Sequence, residues 1–209
     1  MRKIILGILL MLLMLPIANA QQNAVADAGI TPDSFLWGVD KALDQIALLL
    51  AGSPEAKAAK GLKIAQERLL EVKSMVEENK LDAAAKAEDA HGKTLLKVKQ
   101  NIQFIEDNNP ETQIEKEIEI ESKLKAHEEN VEKVKAELKV KIKIEGILSA
   151  EQQARLDEFL ESLENNADEV KLEIKDKKEK TKRKIKQKTG KSEEEIESQI
   201  KMREIEKGV

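Results

Sequence analysis

The chain has no cysteine and no tyrosine, and only one tryptophan and three phenylalanines among its 209 residues. Without cysteine there are no disulfides and no lipid-modified N-terminal cysteine, so stability outside the cytoplasm must come from packing alone. Aromatic rings are the usual stacking platforms for sugars and single-stranded nucleic acid. With Phe35, Trp37, Phe104 and Phe159 as the whole aromatic set, a carbohydrate cleft is disfavoured. A basic excess is missing too, since 36 basic side chains face 40 acidic ones. That balance excludes a globally basic nucleic-acid binder and leaves room only for a local basic face.

Signatures of chemistry are equally scarce. His127-Glu128 begins like the zinc-protease motif, but Val131 stands where its second histidine belongs. Gly190-Lys191-Ser192 matches the end of a phosphate-binding loop, but Ile185 occupies the position of its first glycine. A capped helix start is the plainer reading. His91 and His127 have no second histidine or cysteine nearby in sequence, so they read as core or interface histidines rather than metal ligands. A pH-sensitive packing role stays open for them. We therefore expect no catalytic residue, no metal ligand, no cofactor and no small-molecule substrate.

What the chain does have begins with its first twenty residues. MRKIILGILLMLLMLPIANA joins Arg2 and Lys3 to an uncharged run, Ile4 to Ile17, and ends in Ala18-Asn19-Ala20. This is the pattern of a signal peptide cleaved after Ala20. A retained anchor is the competing reading, but a stable span needs about 20 apolar residues, and this run is shorter and broken by Pro16. Cleavage leaves 34 basic against 40 acidic side chains. The mature chain is expected to be exported, with residues 21–30 as a flexible leader.

Helical periodicity dominates the chain beyond residue 30. Thr31-Pro32 reads as an N-cap with proline at the first helical position. In the helix after it, Leu36, Val39, Leu43, Ile46 and Leu50 step by three and four, and Trp37, Ala47, Leu48 and Leu49 widen the stripe. Such an apolar helix is expected at the centre of a core. Ser53-Pro54 starts a second helix with Ala58, Leu62, Ala65, Leu69, Val72 and Val76 on one face. A third carries Ala84, Glu88, His91, Leu95, Val98, Ile102 and Ile105 at the same spacing. Short joints predict an antiparallel helical bundle over residues 31–108. Pro110 opens a connecting helix, 109–137, whose seam is Ile120, Leu124, His127, Val131, Val134 and Leu138. Packing within the chain is the plainer use of that seam, and a homodimer through residues 120–138 is the other.

Three short stretches break the helical period. In ELKVKIKIEG, Leu138, Val140, Ile142 and Ile144 alternate with lysines; EVKLEIK (169–175) and KTKRKIKQ (180–187) alternate similarly. Alternation puts one set of side chains on one face of a strand. Between the first two lies a helix with the capping box Ser149/Gln152. Residues 138–190 thus read as strand, helix, strand, strand, a small α+β unit, followed by a C-terminal helix over 191–209 capped by Ser192 and Glu195. One long charged helix through 169–188 is the alternative, because Lys and Glu are good helix formers. The expected fold is mostly α: an antiparallel bundle joined to this unit. Its outer face would hold Lys139, Lys141, Lys143, Lys171, Lys175, Lys182, Lys184 and Lys186, a candidate anion-binding surface for anionic lipid or an anionic polymer. Lysines that keep a sheet soluble and block edge pairing are the simpler explanation.

The run TPDSFLWGVDKALD (31–44), with AQERLLE (65–71) and an Ala- and charge-rich third helix, resembles a domain of unknown function found in exported bacterial and archaeal proteins. The positions carrying the likeness are Pro32, Asp33, Ser34, Trp37, Ala65, Arg68, Leu69 and Glu71, over residues 31–108. Where Trp37 stands the family pattern often has Tyr. The resemblance implies an exported helical domain with no assigned activity, so it carries over no catalytic residue. Arg68 and Glu71 are spaced to pair across one helical turn. LSAEQQARL also resembles helix starts of periplasmic stress chaperones, mostly through its capping box. The expected function is therefore non-catalytic binding or scaffolding, with a chaperone-like protein for unfolded clients as the alternative and an enzyme third.

Overall fold

The computed structural model of the chain describes residues 29–145 and 149–209. The predicted signal peptide and leader residues 21–28 lie outside the described residues, as do Gly146 to Leu148 and the side chains of Ile144 and Glu145. The described residues form six helices in chain order: α1 (Trp37–Leu50), α2 (Pro54–Glu77), α3 (Leu81–Gln103), α4 (Pro110–Glu145), α5 (Ala150–Thr189) and α6 (Glu193–Lys207).

Punctuation residues set most of these limits. Ser53 Oγ accepts the Ala56 N–H and Pro54 takes the first helical position of α2. Asn79, at φ 58°, turns the chain into α3. Ser149/Gln152 and Ser192/Glu195 both form complete capping boxes, and Gly190 closes α5 in the left-handed conformation at φ 69°. Thr31-Pro32 does not start a helix. Pro32 is buried in a turn, Thr31 donates to its own neighbour Asp33 at 2.6 Å, and α1 begins only at Trp37.

Polar pairs between helices show how they are arranged. Lys116–Glu55, Asn130–Gln66 and Lys73–Glu137 advance together along α2 and α4, so these run parallel. Arg155–Asp82, Lys99–Glu169 and Gln103–Glu173 do the same for α3 and α5. Lys135–Glu164, Lys171–Glu128 and Lys178–Glu121 instead run in opposite order, so α4 and α5 are antiparallel. The result is a four-helix ring, α2–α3–α5–α4. Leu69, Leu138 and Leu160 belong to one cluster of its core and Leu95, Leu124 and Ile174 to another. Where α4 begins and α5 ends, α6 closes a third cluster of Ile114, Ile118, Ile185, Ile196 and Ile200. Helices α2 and α3 approach closely at Gly61, where a Cβ would lie 2.6 Å from Val98 Cγ2.

The predicted α+β unit is not there. Among the described residues there is no strand. Residues 138–145 are the last turns of α4, and both 169–175 and 180–187 lie inside the 40-residue α5. The reason is in the longer pattern. Leu156, Leu160, Leu163, Ala167, Val170, Ile174, Lys177, Thr181 and Ile185 are all buried at steps of three and four. The two apparent strands in α5 are seven- and eight-residue windows on that repeat, and the first of the three is the end of the α4 seam that runs to Leu138. Val140 and Leu172, which alternation would bury, are more than half exposed.

A second expectation also fails. The apolar stripe of α1 is not in the core: Leu36, Val39, Leu43, Ile46 and Leu50, with Phe35 and Leu49, are between 42 and 90% exposed. Helix α1 packs on α2 at the margin of the ring with its polar side inward.

Candidate functional site

Inversion of α1 is produced by one buried arginine. Arg68 sits on α2 between Ala65 and Leu69, in the stripe that faces inward, and is 1% exposed, as is Glu71. A guanidinium there is tolerable only if carboxylates surround it. Glu71, one turn along α2, takes Nη1, while Asp40 (2.7 Å) and Asp44 of α1 take Nη2. Trp37 completes the cluster, its indole N–H donating to Glu71 Oε2 at 3.0 Å. Lys41 Nζ lies 4.0 Å from the Trp37 ring centroid. Outside the cluster, Lys80 reaches back to Asp33 at 2.6 Å and ties the turn before α1 to the α2–α3 joint.

Charge balance in this cluster is uneven, with three carboxylates on one guanidinium. Burial opposes the charge of Arg68, but its carboxylate partners outweigh that and raise its pKa. Burial also pushes Glu71 above the usual carboxylate range, partly countered by Arg68 and by the Trp37 N–H. So Asp40, Asp44 and the Trp37 indole N–H all hold the helix inward, and Leu48, about three turns beyond Trp37 on the same side, packs near Gly61 as its apolar peg. The far side, from Leu49 round to Leu36, spans about 140° at 3.6 residues per turn and carries no charged residue. Its seven exposed side chains present on the order of 800 Å², above the patch of about 300–600 Å² usual on a monomer.

The anticipated lysine surface dissolves with the sheet. Lys139, Lys141 and Lys143 lie at the end of α4; Lys171, Lys175, Lys182, Lys184 and Lys186 lie along α5. Antiparallel packing puts the α4 group near one end of the bundle and Lys182 to Lys186 near the other. At about 1.5 Å per residue they are roughly 35 Å apart along the axis. Several are matched by acids: Lys171 to Glu128 at 3.1 Å, Lys182 to Glu179 at 2.7 Å, Lys186 to Glu193 at 3.3 Å and Lys141 to Glu77 at 3.9 Å. Lys184 donates to Gln113 at 3.4 Å. The eight lysines therefore do not share one face, although Lys171, Lys175, Lys182 and Lys186 lie along one side of α5.

The two histidines do come together. His91 of α3 and His127 of α4 stack in the ring's centre, with Nε2 atoms 3.0 Å apart and ring centroids 5.1 Å apart. Burial depresses both, His91 to about 3, with the His127 charge adding to the effect, and His127 to about 4. Both Nδ1 atoms are buried without a partner. Among the described residues no cluster of three His, Asp or Glu side chains could hold a metal. The seam Ile120 to Leu138 is buried within the chain itself.

The two segments that carry the family likeness, 31–44 and 65–71, meet at Arg68. The chain belongs to the family described as Domain of unknown function (DUF5667). The match covers residues 29–141, extending beyond the third helix to take in most of α4. Helix α5, which completes both clusters of the ring's core, lies beyond it. No curated protein and no solved structure matches the chain. Sequence reasoning found the Arg68–Glu71 pair and missed Asp40 and Asp44. The signal was available, since Trp37, Lys41, Asp44 and Leu48 share one helical face at three- and four-residue steps.

Proposed function

We propose that the protein is an exported, non-catalytic binding module that works through the outer face of α1. The observation supporting this reading is the outward stripe of Val39, Leu43, Ile46 and Leu50, fixed in place by the inward ion cluster. A chain able to bury leucines here instead buries an arginine, which is weak evidence for stability and better explained by a use for the exposed face. Export rests on the cleavage pattern that ends at Ala20, and mass spectrometry of exported material should give Gln21 as its first residue.

The binding test is fractionation of producing cells. The exported protein should stay with the envelope fraction through a high-salt wash, because apolar contact is not screened. Replacing Leu43 and Ile46 by Asn should release it. Release of the unaltered protein by salt would point instead to charge-driven attachment. The chaperone-like alternative would use the same face, and would show as suppression of client aggregation that Leu43→Asn abolishes.

A further inference from the structure

We infer that the outer face of α1 rests on a lipid bilayer, with the helix axis lying along the surface; this deepens the binding reading above and depends on it. Three observations carry it. The first is breadth. A seam against one partner helix needs only a narrow stripe, whereas this face runs about 140° round the helix without a charge. A half-submerged helix wants such a face. The second is length. With 14 residues, α1 is about 21 Å long at 1.5 Å per residue, too short to cross a hydrocarbon core of about 30 Å. Among the described residues no helix is long and apolar enough to span one. The third is position. Among the described residues α1 is the first helix, and the most exposed apolar residues of this segment, Phe35, Leu49 and Leu50, stand at its two ends. During export on the apolar run Ile4–Ile17, before the predicted cleavage after Ala20, α1 emerges close to the surface the chain has just crossed.

Charge specifies the kind of binding. Asp40 and Asp44 are turned inward to Arg68, and Lys41 is over Trp37, so α1 itself has no basic rim for anionic headgroups. Attachment is apolar insertion, indifferent to headgroup charge.

The test is co-flotation of the exported protein with phosphatidylcholine vesicles, with and without phosphatidylglycerol, across a salt series. Binding should occur on both, with little salt dependence, and fall about tenfold or more in Leu43→Asn/Ile46→Asn/Leu50→Asn. These positions face solvent, so the variant should keep its circular dichroism spectrum. A second readout does not rely on that variant. The absence of cysteine lets Leu49→Cys carry a single polarity-sensitive dye, which should shift to the blue on adding vesicles while the same dye at Lys188→Cys does not. Failure of the unaltered protein to float, or a silent Leu49 dye, overturns the lipid assignment. If it instead self-associates without vesicles and the triple variant is monomeric, a second copy covers the face: the lipid inference falls and the binding module stands. If it neither floats, self-associates nor stays with the envelope, both fall.

Discussion

Helices α1 and α5 are inverses of each other. Helix α1 is the most apolar of the six and buries chiefly Trp37 and Leu48, with two aspartates aimed inward. Helix α5 is densely charged, yet its seam is continuous over nine residues and takes Lys177 and Thr181 into the interior. Those polar members are satisfied. Lys177 donates to the Gln103 carbonyl at 2.6 Å, and Thr181 donates to Glu117 at 2.7 Å beside Gln113. What a helix buries is thus decided by the neighbours it must satisfy, not by which of its faces is most hydrophobic. On α5 the two criteria agree for most positions. On α1 they oppose each other, and the arginine prevails.

Arg68→Ala should have the largest effect. It leaves Glu71 buried without a counter-charge and removes the ion pairs that hold α1 to α2, at a cost of about 3–5 kcal/mol, measured by urea denaturation followed by circular dichroism. Replacing Arg68 and Glu71 together by Met and Leu removes both charges and should cost much less. Equal losses in the two variants would mean that packing, not charge, holds α1.

Acid should act on the ring's centre next. In the unfolded chain each histidine protonates near pH 6.5, but in the fold only near 3 for His91 and near 4 for His127. Below pH 6.5 the unfolded state therefore binds more protons, and stability falls as pH falls, until the folded values are reached. The loss is about 2 kcal/mol per imidazole by pH 5. Burial raises Glu71 and Glu117, which gives the opposite slope, so the comparison must be with His91→Leu/His127→Leu. That variant should show a flatter profile between pH 7 and 5. An unchanged slope would place the acid sensitivity elsewhere.

Neighbouring residues of α5 separate helix from strand at a smaller scale. Ile174 is fully buried and Leu172 is 64% exposed, although strand alternation would put them on the same face. Ile174→Ala should cost roughly 2–4 kcal/mol and Leu172→Ala less than about 0.5 kcal/mol. Similar losses would restore the alternating reading.

Much of the ring was legible in the sequence because its signals are local. The stripes Ala58 to Val76 and Leu95 to Ile102 are buried as their spacing implies, and Ser53, Ser149 and Ser192 cap where expected. The strands were misread because Val170-x-Leu172-x-Ile174 satisfies two periods at once, and seven residues cannot choose between them. Thirty can, once Lys177 and Thr181 are admitted to the seam. The candidate site was legible only in part, as the Arg68–Glu71 pair and the shared face of Trp37, Lys41, Asp44 and Leu48. Asp40 and Asp44 become inward-facing only when Arg68 is recognised as buried, and that depends on α3, α4 and α5 closing the ring behind it.

Leu43→Asn is the smallest predicted change in stability and the sharpest probe of the contrast. On a helix whose apolar face is buried, a polar residue in mid-stripe costs several kcal/mol through lost transfer energy and a desolvated amide. On α1 the side chain is 57% exposed and meets water already. Thermal denaturation without lipid should therefore move by no more than about 0.5 kcal/mol, while Leu48→Asn, one and a half turns on and facing α2 and α3, should cost several times that. If Leu43→Asn proved as costly as Leu48→Asn, the outer face would be covered in the isolated protein, and the inward cluster around Arg68 would no longer distinguish α1 from the other five helices.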